Sequence, residues 1–174
     1  MPRVLITGVS GVGKSTVIAG LVARGYRAVD TDFGGYCSPG PDVEPPRPTA
    51  EPGWVWHEAR LRRLLASAPG ESPFDSVLFV SGCVPNQGRF YADFDRIVLL
   101  SAGPEVVRHR LLERTGNDYG KAPAELERAL SDQAEVEPLL RAGATAEIDT
   151  DAPIAAVIER LLAHVFDWAP AGKA

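Results

Sequence analysis

No stretch of the 174-residue chain is apolar over enough consecutive positions to cross a bilayer as a helix. Cysteine is scarce. Cys37 and Cys83 are too few for a disulfide framework, and with His57, His109 and His164 they show no zinc-ligand spacing. The expectation is free thiols in a reducing compartment. Basic charge is in deficit, with 18 Lys and Arg against 23 Asp and Glu, a net −5. That argues against a protein whose main task is coating nucleic acid, although a local basic patch remains open. A β-prone run already begins at Arg3, which leaves no room for a signal peptide; a cytoplasmic location is expected. What is present is ordinary globular material: 45% hydrophobic and 24% charged residues, too apolar for disorder and long enough for one domain with a core.

Arg3-Val4-Leu5-Ile6-Thr7 is apolar on consecutive positions, as a strand buried on both faces requires. After a glycine-rich turn, Val17, Ile18, Leu21 and Val22 recur at helical spacing up to Gly25. Tyr26 to Asp30 reads as a second strand, closing a βαβ unit. The stretch from Gly34 to Gly53 carries Pro39, Pro41, Pro45, Pro46, Pro48 and Pro52 and reads as a long extended loop. Helix is expected over Trp54–Ala68, Pro104–Arg114, Pro123–Leu140 and about Ala152–Phe166. Strands are expected at Ser76–Val80, Arg96–Leu100 and Ala146–Asp149. This order predicts an α/β, three-layer fold: a five-stranded, mostly parallel sheet with helices on both faces, plus a lid. One domain spans 1–168, with a Pro-rich acceptor-side insertion and helix at 33–68, a lid segment at 114–122 and a frayed tail at 169–174.

Gly8-Val9-Ser10-Gly11-Val12-Gly13-Lys14-Ser15 matches G-x-x-x-x-G-K-[ST] without a mismatch, between a buried strand and an amphipathic helix. Gly8, Gly11 and Gly13 let the backbone turn tightly and aim N–H groups, including that of Val12, at a phosphate. The helix beginning near Lys14 adds the positive end of its dipole. The Lys14 ammonium can reach β- and γ-phosphate oxygens of ATP, the Ser15 hydroxyl can ligate Mg²⁺, and Thr16 completes the nucleotide contacts.

The surroundings of this loop narrow the class. No Asn-Lys-x-Asp guanine-reading motif occurs. Ser81 stands where a motor-type ATPase places its Mg²⁺-orienting Asp. The acids lie at the end of the second strand instead, as Asp30-Thr31-Asp32. In an open α/β sheet that edge borders the ligand crevice. Carboxylates at i and i+2 on an extended segment point the same way. One can serve Mg²⁺ while the other orients an acceptor hydroxyl and takes its proton; the plainer alternative is a solvated turn or helix cap.

The loop followed by Asp-x-Asp resembles the shikimate kinase and gluconate kinase branch of the nucleoside-monophosphate-kinase-like group. The resemblance implies that Asp30 is the metal-side acid and Asp32 the substrate-side acid. Arg114-Thr115-Gly116-Asn117, with Lys121 seven residues on, is similar to the start of the shikimate kinase lid. By that likeness Arg114 stacks on adenine and Lys121 reaches into the closed site. Asp149-Thr150-Asp151-Ala152-Pro153 resembles the loop that borders the adenine ring, which brings Pro153 to the nucleotide. The likeness stops at the acceptor. Shikimate kinases carry three consecutive glycines after strand three, and here the run is Ser81-Gly82-Cys83-Val84-Pro85. Trp54-Val55-Trp56-His57 is also foreign to that pattern.

A basic flap has its own physical logic, since transfer to an acceptor competes with transfer to water. Arg108, Arg110, Arg114 and Lys121 stand where such a flap belongs, although Arg108 and Arg110 equally suit a solvated helix face near Glu113. On the acceptor side the candidates are Asp32, Trp54, Trp56, Arg60, Gly82, Asn86 and Arg89, with His57 and Gln87 nearby. Trp54 and Trp56 can form an apolar wall or pack under the loop. Arg60 can bind an anionic group or be a surface charge. The expected activity is Mg²⁺-dependent transfer of the ATP γ-phosphoryl group to a hydroxyl of a small metabolite. The alternatives are a nucleoside or nucleoside-monophosphate kinase, with Arg60 and Arg89 as a clamp, and an ATP-binding regulatory protein with weak ATPase activity. The expected partner is a small-molecule acceptor, with neither nucleic acid nor membrane, acting on a monomer.

Overall fold

The structure, a computed structural model, describes residues 1–40, 53–115 and 117–167. β1 (Arg3–Thr7) lies at the centre of a five-stranded sheet. It is flanked by β5 (Leu78–Ser81) and β6 (Arg96–Ser101), with β2 (Arg27–Asp30) and β7 (Ala146–Asp149) at the edges. All four pairings are parallel. Parallel neighbours need crossovers, and helices supply them. They are α1 (Lys14–Ala23), α2 (Glu58–Leu65), α3 (Pro104–Glu113), α4 (Pro123–Gly143) and α5 (Ile154–Phe166).

Alternation along the central strands sorts the core into two layers. Val4, Ile6 and Phe79 face the side covered by α1 and α5. Leu5, Leu78 and Val80 face the side where Leu61 and Leu65 of α2 meet Trp56, Phe90 and Phe94. Because every strand is parallel, all carboxyl ends lie at one edge, and the chemistry-bearing loops gather there.

The expected sheet and most helices are present, with shifted ends: α3 stops at Glu113, α4 runs on to Gly143 and α5 begins at Ile154. The region after Asp30 departs from expectation. Cys37–Pro39 (β3) and Trp54–Trp56 (β4) form an antiparallel ribbon, Cys37 opposite Trp56 and Pro39 opposite Trp54. The helix placed at Trp54–Ala68 therefore starts only at Glu58. Trp-Val-Trp is β-prone, and exposure falls along it, from Trp54 on the surface to Trp56 in the core. The expected loop at Gly34–Gly53 thus begins and ends in paired strands; its residues 41–52 lie outside those described, as does the tail beyond 167. Both cysteines are free thiols, as expected. No helix among the described residues is long and apolar enough to cross a membrane.

Candidate active site

The Gly8–Ser15 loop joins β1 to α1 at the carboxyl edge of the sheet. Gly8 has φ 146°, and a Cβ there would lie 2.4 Å from the Leu100 carbonyl oxygen. Gly11 has φ 88°, and a Cβ would press on Val107 and Leu111 of α3. Both conformations suit glycine alone. Lys14 arches back over the loop, its Nζ donating to the carbonyls of Gly8 (2.7 Å) and Val9 (3.1 Å). The ammonium is thereby held above the loop that carries the amides.

Asp30 closes β2, in register with Ser81 at the end of β5. Asp30 Oδ1 accepts the Asp32 amide at 3.1 Å. Asp30 Oδ2 and Ser81 Oγ are both buried without a hydrogen-bond partner among the described residues. Asp32 opens onto the cleft beside Lys14. Withdrawal from bulk water pushes its carboxyl above the ordinary value; Lys14 opposes this and the Asp30 charge adds to it.

Thr31, between the two acids, is fully buried. Its hydroxyl donates to the Ser81 carbonyl at 2.6 Å and accepts the Trp56 indole N–H at 2.7 Å. The Cys37 thiol donates to the Thr31 carbonyl at 3.3 Å. A Cβ on Gly82 would come within 2.6 Å of both Thr31 Oγ1 and the Trp56 ring. Asn86 clamps the Trp56 backbone, accepting its N–H at 2.9 Å and donating to its carbonyl at 3.0 Å. Trp56, Gly82 and Asn86 thus support the acid pair from behind rather than line the open cleft, and Gln87 is buried against Thr7. Arg89 pairs with Glu58 at 3.1 Å on the surface. Trp54 is exposed, and Arg60 stacks 5.0 Å from the Tyr36 ring centroid in a separate groove.

The cleft, about 710 Å³, is lined by Gly11 to Thr16, Asp32, Arg114, Thr150 and Ala152, among others. Arg114 is there, as the spacing suggests, its guanidinium donating to the Tyr119 carbonyl. Lys121 does not line it and pairs with Asp118 at 3.2 Å. Pro153 sits between two lining residues, Ala152 and Ile154. Sequence reasoning missed Phe33, His109 and Thr150 as lining residues and read Arg110 as equally suited to a solvated face. Arg110 turns inward, donating to the Thr150 hydroxyl (2.8 Å) and carbonyl (2.7 Å), while Arg108 stays outside with Glu105. The Thr150 hydroxyl in turn reaches the carbonyls of Val12 (2.9 Å) and Ser101 (3.1 Å). The four-residue step from Arg110 to Arg114, just past the end of α3, was the one signal that could have placed the two on the same side.

Chemically, the site offers loop amides, a cation and a raised carboxylate. A trio of His, Cys, Asp or Glu side chains forming a metal cage does not occur among the described residues. Mg²⁺ does not need one, since it is commonly held by one or two protein oxygens together with phosphate oxygens and water. Ser15 and the partnerless oxygen of Asp30 fit that donor set.

Three solved structures show how widely the architecture is shared. A sugar kinase from Janibacter sp. HTCC2649 is 21% identical, with 98% of this chain and 97% of that one covered at a TM-score of 0.57. Shikimate kinase from Bacteroides thetaiotaomicron is 18% identical, covering 96% and 99% at 0.58. Deoxyadenosine kinase from M. mycoides, with bound dATP, is 14% identical, covering 94% and 98% at 0.56. This chain has their fold, the α/β P-loop architecture. No curated protein matches it in sequence. The AAA domain family matches residues 4–136, most of the chain and all of the phosphate loop with its acid pair, and the chain belongs to that P-loop family.

Proposed function

We propose that the protein is a small-molecule kinase that transfers the γ-phosphoryl group of ATP to a hydroxyl of a small metabolite. The observation that carries this reading is the meeting of Asp32, Lys14 and the loop amides in one cleft whose far wall holds Arg110 and Arg114. Its structural neighbours, a sugar kinase, a shikimate kinase and a deoxyadenosine kinase, support it.

In this reading the Gly8–Ser15 amides and Lys14 bind the β- and γ-phosphates. Ser15 and Asp30 hold Mg²⁺, which when bound neutralises phosphate charge. Asp32 accepts a hydrogen bond from the acceptor hydroxyl and takes its proton as the oxygen bonds to the γ-phosphorus and the bond to the β–γ bridging oxygen breaks, releasing ADP; a raised carboxyl is the better base for that task. Arg114 flanks adenine beside Pro153, and Lys121 exchanges Asp118 for the phosphates when segment 114–122 closes. Closure excludes water, so hydrolysis is suppressed. The protein acts in the cytoplasm, as a monomer. A nucleoside is the second acceptor class, favoured by Phe33, an exposed ring beside Asp32 at the cleft on which a base can stack.

The test is ADP production from Mg·ATP across sugars, polyol acids, nucleosides and nucleoside monophosphates. One class should stimulate turnover. Asp32→Asn should lower it by about 10²–10⁴-fold, the range for loss of a general base, with ATP binding retained. Tight ATP binding that no acceptor stimulates would favour the regulatory alternative.

A further inference from the structure

A second groove, about 690 Å³, lies beside the edge strand β2 and shares no lining residue with the nucleotide cleft. Arg27, Tyr36, His57, Arg60, Arg63 and Ser67 line it, and no carboxylate does among the described residues. In a chain of net charge −5 that local composition is unusual.

Two of the three arginines there are held by neutral groups. Arg27 donates to the Ala68 carbonyl at 2.8 Å and the Ser67 hydroxyl at 2.5 Å. Arg60 lies over the Tyr36 ring. Such stacking orients a guanidinium without neutralising it. α2 divides its charges by face. Arg62, on the flank, pairs with Asp93 at 3.0 Å, and Glu58 pairs with Arg89. Arg60, Arg63, Leu64 and Ser67 recur at helical spacing along the groove. None of the ion pairs among the described residues involves Arg27, Arg60 or Arg63.

Guanidinium groups that no carboxylate among the described residues pairs with are the chemistry that receives an oxyanion, since the planar fork matches phosphate and carboxylate alike. Repulsion among such cations is relieved when an anion enters. We propose that this groove is a second anion site, distinct from the nucleotide cleft, which takes a small molecule bearing a phosphate or carboxylate group through Arg60 and Arg63, together with Arg27. The proposal does not depend on the kinase reading of the cleft.

Amide-shift mapping of the full chain by NMR tests it, with pyrophosphate and citrate as separate probes and chloride at matched ionic strength as control. Pyrophosphate should move two sets of resonances, one over Gly11–Ser15 and one over Gly35, Tyr36 and 60–67. Citrate moving the second set would make the ligand a carboxylate; pyrophosphate alone moving it would make the ligand a phosphate. The exposed double variant Arg60→Ala/Arg63→Ala should weaken the second set about ten- to hundredfold, as expected for lost charge-assisted bonds, and leave the first unchanged. The proposal falls if neither probe moves the second set beyond the chloride control, or if the double variant titrates like the wild type.

Discussion

Asp32 shows how a single residue acquires chemistry from its neighbours. Its carboxyl is raised by withdrawal from water, then by the Asp30 charge, against the pull of Lys14. Replacing Asp30 with Asn removes a raising influence, so the Asp32 carboxyl should titrate at lower pH in Asp30→Asn. Carbon-13 carboxyl shifts would read this without any acceptor, and an unmoved midpoint would contradict it. Trp56 offers the complementary case. Trp56→Phe keeps most of the ring but removes the donor to Thr31 Oγ1. The buried hydroxyl keeps its bond to the Ser81 carbonyl but loses this donor, at a cost of about 0.5–1.5 kcal/mol, visible in urea unfolding. The phosphate loop was legible in the sequence because its function is local: contiguous residues, glycines and lysine together, do the binding. Thr150 and Arg110 were much less so, because their role arises from contact between the residue after β7, α3 and the loop, and only the four-residue step from Arg110 to Arg114 hints at it along the chain.

At the scale of elements, the long apolar runs announced themselves. β1 lies where its run of residues places it, since a strand buried on both faces leaves little choice. β3 and β4 are three residues each, and Pro39 ends one of them, too little pattern to mark a ribbon beforehand. Leu61, Leu64 and Leu65 dominate the window and suggest helix from Trp54 on, whereas the three residues Trp-Val-Trp are too short to show a strand's period. Elements are also tied by charge. Arg141 at the end of α4 bonds Glu147 of β7 at 2.7 Å, which holds that carboxyl down at about 2 from its usual 4.5. A depressed acid stabilises the fold above its unfolded value and loses that contribution as pH falls towards 2. The pair is largely exposed, so Glu147→Gln should cost at most about 1 kcal/mol at neutral pH. The melting-temperature gap to wild type should be present above pH 5 and close as pH falls from about 4.5 to 2.

For the molecule as a whole, nucleotide binding is linked to folding. A ligand present at a hundredfold its dissociation constant stabilises the native state by about 2.7 kcal/mol. In a chain of this size that corresponds to a rise in melting temperature of roughly 5–10 °C. Mg·ADP should produce a rise of this order in wild type and little in Lys14→Ala, which removes the cation held over the loop; an equal rise in the variant would count against the phosphate-loop reading. The Thr150 hydroxyl has a consequence on this scale too. By joining the loop, β6 and α3 at one atom, it welds the α3 wall of the cleft to the Gly8–Ser15 loop. Backbone amides near Val12, Ser101 and Thr150 should therefore exchange with deuterium as one slow block. If the proposed lid after Arg114 is what opens for nucleotide, the residence time of a bound nucleotide should be set there, by how often that flap lifts.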